Sequence, residues 1–90
     1  MKSAIQAIVK GKVQGVWFRK YTRDKALELG IKGIVRNQPD GSVYVEAEGE
    51  PETLEKFIEW LHIGSPMARV DEVEIIPVTP KNYETFEIVY

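Results

Sequence analysis

The stretch Ile31–Gly49, IKGIVRNQPDGSVYVEAEG, decides the fold. Ile31 to Arg36 reads as a strand. Pro39-Asp40-Gly41 supplies a turn, in which Pro sets φ and Gly admits φ > 0. Val43, Val45 and Ala47 then alternate with Tyr44, Glu46 and Glu48, the period of a half-buried strand that closes a hairpin. Tyr44, Glu46 and Glu48 are expected on the solvent face of the sheet.

Helical patterns flank this hairpin on both sides. Upstream, Phe18, Thr22, Ala26 and Leu29 recur at helical spacing, and Gly30 stands where a helix C-cap belongs. Downstream, Gly49 ends the strand and Pro51 suits the first helical position. Glu50, Glu52 and Glu55 favour a helix N-terminus. Leu54, Phe57, Ile58 and Leu61 form an apolar stripe, and Gly64-Ser65-Pro66 stops the helix. Ala4 to Val13 reads as a first strand, with Ala7 and Val9 opposed to Gln6 and Lys10. Val70 to Val78 reads as a fourth strand and Thr85 to Tyr90 as a short final one.

The order β-α-β-β-α-β plus a short C-terminal strand predicts an α+β domain. Its expected form is a ferredoxin-like (split β-α-β) antiparallel sheet with two helices on one face. A right-handed crossover makes strands one and two parallel, with strand three between them. The glycine-containing loop after strand one and the end of strand two should therefore converge at one end of the sheet.

Ninety residues suit one domain, 1–90. Twelve Lys+Arg against fourteen Asp+Glu leave a net charge of −2. With a pI near 5.4, nonspecific binding to nucleic acid or an anionic membrane is disfavoured. Cys is absent and His62 is the single histidine, which removes thiol nucleophiles, Cys-based zinc sites and His relays. His62 is read as a helix-end residue. No apolar run approaches the ~20 residues of a membrane span. Met1 to Gln6 lacks a signal-peptide apolar stretch, so the expected compartment is the cytoplasm.

Two segments carry the candidate chemistry. Gly11-Lys12-Val13-Gln14-Gly15-Val16-Trp17-Phe18-Arg19 lies between a strand and a helix start. Glycines there allow successive amides to form an anion nest beside a helix N-terminus. Arg19 would add a bidentate fork to phosphate oxygens. No Gly-Lys-Ser/Thr follows, so this is not a P-loop. The glycines alone favour the plainer reading, a tight strand-to-helix turn with Arg19 solvated. Asn37, at the end of strand two, has an amide suited to holding a water and a substrate oxygen, although capping its own turn is the commoner role of an isolated Asn. Trp17 is read as a loop anchor, Phe18 and Phe57 as core, and Trp60 as core edge.

Together the two segments resemble the acylphosphatase family. The first matches a Gly-x-Val-Gln-Gly-Val-x-Phe-Arg signature at every fixed position from Gly11 to Arg19. The second matches a Gly-aromatic-Val-x-Asn-x-x-x-Gly-x-Val signature and a later Gly at Gly33, Val35, Asn37, Gly41, Val43 and Gly49. Ile34 stands where the family usually has an aromatic residue, a departure that touches packing rather than chemistry. Glu59-Trp60-Leu61 and Gly64-Ser65-Pro66 also look like the family.

The resemblance implies a metal-independent, cofactor-free hydrolase that cleaves the carboxyl–phosphate bond of acyl phosphates by direct in-line attack of water. The family's phosphate-binding arginine falls on Arg19 and its water-orienting asparagine on Asn37. Its phosphate cradle falls on the backbone of Val13, Gln14, Gly15, Val16, Trp17 and Phe18. Expected partners are a small acyl phosphate and inorganic phosphate, with no nucleic acid and no membrane, the protein acting as a monomer.

Three rivals share the topology. An RNA-recognition module would need aromatic residues and basic charge on its central strands, where Glu46 and Glu48 stand instead. A ligand-binding regulatory module would not account for the spacing of Gly15, Arg19 and Asn37. An acylphosphatase-like domain of larger carbamoyl-phosphate-handling proteins is the third.

Overall fold

In a computed structural model describing residues 1–90, the elements follow the expected order. They are β1 (Ser3–Lys12), α1 (Phe18–Leu29), β2 (Lys32–Asn37), β3 (Val43–Gly49), α2 (Pro51–Ile63), β4 (Arg69–Val78) and β5 (Phe86–Ile88). The sheet runs β4-β1-β3-β2-β5. β3 is antiparallel to both β1 and β2, which makes β1 and β2 parallel to each other. β5 adds itself parallel to β2, so the sheet is mixed at that edge.

Each helix forms where its pattern predicts. α1 buries Phe18, Thr22 and Ala26, and the Thr22 hydroxyl donates to the Phe18 carbonyl at 2.7 Å. α2 starts with Pro51 and buries Leu54, Phe57 and Leu61. The helices touch each other, α1 over β2 and β5 and α2 over β1, β3 and β4, so both lie on one face. Under them Ala7, Val9, Val35, Val43, Val45 and Ala47 are sealed from solvent. Phe57 packs between Trp60 and Phe86, with ring centroids 6.5 Å and 5.9 Å away. Truncating Phe57 to Ala should cost about 3–5 kcal/mol.

The β2–β3 pairing depends on Gly33. A Cβ there would lie 1.8 Å from the Glu46 carbonyl oxygen, and its φ is 149°. Only glycine lets the two backbones come this close.

The opposite face of the sheet departs from the sequence expectation. Glu46 and Glu48 are not solvated; they retain 8% and 2% of their exposure. Because β4 and β5 sit at opposite edges, the chain between them must cross the sheet, and it crosses above β3. Glu48 accepts hydrogen bonds from the backbone amides of Lys81 and Tyr83. Glu46 accepts from the hydroxyls of Tyr44 and Tyr83 and lies 3.0 Å from the Lys81 ammonium. Strand alternation put these carboxylates on the outer face correctly. It carried no information about the strap that covers them.

Candidate active site

The site lies where the topology brings together the end of β1 and the end of β2. A cavity of about 380 Å³ is lined by Val13, Gly15, Phe18, Arg19 and Asn37, together with Trp17, Lys20, Ile88 and Tyr90. Arg19 and Asn37, far apart in the chain, thus share one cavity.

The loop between β1 and α1 is held from both sides. The Gln14 side-chain amide donates to the carbonyls of Gln38 and Ser42 at 2.8 and 2.9 Å, which ties the loop to the turn following Asn37. The buried Ser65 hydroxyl donates to the Val16 carbonyl at 2.7 Å, which ties it to the loop after α2. The Gln14 side chain and the Val16 carbonyl therefore position the loop, and neither residue lines the cavity. Gly15 sits at φ 73° with open space around it, a left-handed conformation that glycine adopts at no steric cost.

No backbone amide from Gln14 to Lys20 donates a backbone hydrogen bond. These free donors stand at the N-terminus of α1, whose first turn contains no acidic residue to neutralise it. Unsatisfied amides and the positive end of the helix dipole favour an anion here. Arg19, in the first turn of α1, adds a full positive charge and stacks its guanidinium over the Tyr90 ring. The Lys20 ammonium, by contrast, is paired with Asp24 at 2.8 Å.

Asn37 Oδ1 is buried with no hydrogen-bond partner. An orphaned buried acceptor is costly, about 1–3 kcal/mol, and such atoms in native folds point to a missing water, ion or ligand. The carbonyl side of this amide is thus the group left to orient a small donor such as water.

Trp17 corrects the sequence reading. It is 70% exposed, so it does not anchor the loop. Its backbone lies in the left-handed region at φ 63°, ψ 19°, which turns the ring outward at a cost of about 1–2 kcal/mol. Phe18, next in the chain, is fully buried as expected and packs against Trp60 with ring centroids 5.8 Å apart. Tyr90, Ile88 and Lys20 line the cavity without having been found from sequence. Ile88 and Tyr90 reach it only because β5 pairs with β2, which no local pattern announces. Ile34 is half-buried in β2 and lies outside the cavity.

No group of three or more His, Asp or Glu side chains is arranged to hold a metal ion. No helix is long and apolar enough to cross a membrane.

A split β-α-β domain that gathers free amides, a helix N-terminus and an arginine around one cavity has the chemistry to hold a phosphate-sized anion, which defines a class of small α+β anion-binding proteins. Comparison with known proteins narrows this. A family model described as acylphosphatase matches residues 5–88. An acylphosphatase of Archaeoglobus fulgidus is 51% identical over 87 residues, covering 97% of this chain and 98% of that one. The crystal structure of acylphosphatase from Bacillus subtilis superimposes with a TM-score of 0.95 at 34% identity, covering all of both chains. HypF of T. kodakarensis matches with a TM-score of 0.86 at 32% identity, covering 98% of this chain and 12% of that one. The chain belongs to the acylphosphatase family, and its enzyme class is that of a hydrolase.

Proposed function

We propose that this enzyme hydrolyses acyl phosphates to a carboxylate and inorganic phosphate by direct in-line attack of water, with no metal and no other cofactor. The observation that carries this reading is the shared cavity of Arg19 and Asn37 at the N-terminus of α1. The guanidinium of Arg19 and the backbone amides from Val13 to Phe18 hold the phosphoryl oxygens. Asn37 orients the attacking water through its unpartnered Oδ1.

The water oxygen bonds to phosphorus as the phosphorus–oxygen bond to the acyl group breaks, and the electron pair leaves with the carboxylate. The proton of the water passes to a phosphate oxygen. Phosphoryl transfer needs chiefly positioning and charge stabilisation, and a carboxylate is a good leaving group, so no side-chain nucleophile is required. The whole chain, 1–90, acts as one domain, in the cytoplasm and as a monomer, with no nucleic-acid partner. The acidic composition and the absence of cysteine support that setting.

The deciding experiment compares an acyl phosphate with an alkyl phosphate monoester. Hydrolysis of the first with little action on the second is expected. Comparable rates on both would sink the proposal.

A further inference from the structure

The peptide between Val16 and Trp17 is anchored on both sides. The Val16 carbonyl accepts a hydrogen bond from the Ser65 hydroxyl at 2.7 Å. Ser65 is 3% exposed and Val16 6%, so solvent does not supply a substitute donor. Ser65 stands in the turn between α2 and β4, where its own carbonyl accepts from the Ala68 amide at 3.0 Å and the Gly64 amide donates to the Trp60 carbonyl at 2.9 Å. On the other side the Trp17 carbonyl accepts from the Tyr21 amide at 3.0 Å, which opens α1. Between these anchors Trp17 is held at φ 63°, a conformation that costs a non-glycine residue free energy. In a trans peptide the N–H points opposite to the C=O. Val16 lies outside the cavity lining and Trp17 within it, so a carbonyl turned onto Ser65 sends the Trp17 N–H toward the cavity. That amide has no backbone acceptor.

We infer that Ser65 is a positioning residue for the anion site: its hydroxyl, bound to the Val16 carbonyl, keeps the Trp17 N–H turned into the cavity. This rests on the proposed phosphate site. Without the hydroxyl the Val16 carbonyl is buried and unpaired, and Trp17 still bears its left-handed backbone. One movement relieves both. Rotating the Val16–Trp17 peptide by about half a turn takes the φ of Trp17 into the allowed negative region and frees the carbonyl from its buried position. The same rotation replaces an N–H donor with a carbonyl oxygen at the cavity, which repels phosphoryl oxygens. Ser65 touches no substrate. It sets the fraction of molecules that hold the donor in place, and apparent affinity falls with that fraction.

The test is a double-mutant cycle of Ser65→Ala and Trp17→Gly, each protein titrated with inorganic phosphate and assayed for KM and kcat on acetyl phosphate. The left-handed cost of Trp17, converted to a population, predicts that Ser65→Ala raises the phosphate Kd by about 5- to 30-fold. KM should rise in parallel, while kcat at saturation changes little, a split that a general loss of stability would not produce. Glycine bears no left-handed cost, so relative to Trp17→Gly alone the double variant should lose only about twofold. An unchanged Kd in folded Ser65→Ala, or equal losses in the two backgrounds, would overturn the inference and leave the proposed reaction standing. Should Ser65→Ala not fold, Ser65→Cys, of similar size and a weak donor, carries the same comparison. Failure of both to fold would overturn the inference by making Ser65 a residue of the fold alone. Wild-type protein that binds no phosphate would overturn the proposed site, and the inference with it.

Discussion

The guanidinium carbon of Arg19 lies 5.0 Å from the centroid of the Tyr90 ring. This contact joins the first turn of α1 to the residues that follow β5, across the boundary between β1–α1 and the β2–β5 sheet edge. It restricts an arginine that would otherwise sample many rotamers, at the cavity the loop also lines. A cation–π contact at an exposed position is worth about 0.5–1 kcal/mol. Tyr90→Leu should therefore weaken inorganic phosphate binding by about two- to fivefold. Phosphate titration followed by thermal denaturation measures it, and an unaltered dissociation constant would show that the ring does not organise Arg19.

Arg19→Ala should abolish most of the phosphate binding. In the wild type, phosphate at a hundred times its dissociation constant should stabilise the fold by about 2.7 kcal/mol, read as a rise in Tm. The variant should show little of that rise. If phosphate stabilises it to the same extent as the wild type, Arg19 has no part in binding.

Asn37→Ala should separate chemistry from binding. The loop amides and the Arg19 fork stay in place, so phosphate affinity should remain near normal. Turnover should fall on the order of 10²–10³-fold, the scale of a lost transition-state hydrogen bond. The Asn37 Oδ1 atom has no partner in the fold, so its removal should not lower Tm. A folded variant with undiminished turnover refutes the catalytic assignment. A large loss of Tm with turnover intact would assign Asn37 to the turn instead.

Chelation should leave activity unchanged. The chain has no cysteine and one histidine, and no three carboxylates or imidazoles converge. Turnover lost in EDTA and restored by Mg²⁺ or Zn²⁺ would require a different mechanism.

The strap over β3 should make stability depend on pH at both extremes. Burial alone would push the Glu46 carboxyl up. Hydrogen bonds from Tyr83, Tyr44 and Lys81 outweigh it and hold the carboxyl below its ordinary value of 4.5. A carboxyl lowered on folding contributes stability above its unfolded pKa and loses it as pH falls through the folded value. Burial and the hydrogen bonds to Glu46 push the Tyr44 and Tyr83 hydroxyls from 10.0 up to about 12. Their contribution is complete below pH 10 and is lost as pH rises through about 12. Tyr83→Phe should lower stability at neutral pH by about 1–3 kcal/mol and flatten both limbs of the Tm–pH curve. A Tm–pH curve with the wild-type shape would show that the Tyr83–Glu46 bond carries none of this dependence.

Much of the site was legible because its determinants are local. Gly15, Arg19 and Asn37 stand at fixed spacings around a strand end, a helix start and a hairpin, and those elements announce themselves by period and by turn residues. The role of Gln14 was only half legible. Its backbone belongs to the loop, but its side chain clamps the hairpin turn, and a polar residue in a loop gives no sign of which distant carbonyls it will meet. Trp17 was misread because a large aromatic is normally buried, whereas here the left-handed backbone turns it outward.

The sequence by itself determined the element order, the hairpin, both helices and the convergence of the loop after β1 with the end of β2. Hydrophobic period and turn chemistry act over a few residues, and right-handed crossover leaves few ways to connect them. Only the tertiary structure decided which edge β5 joins. That single through-space pairing brings Ile88 and Tyr90 to the cavity and draws the β4–β5 connection across Glu46 and Glu48. A strand's alternation marks which face each side chain takes, but what covers that face depends on a partner far along the chain, and no local period records it.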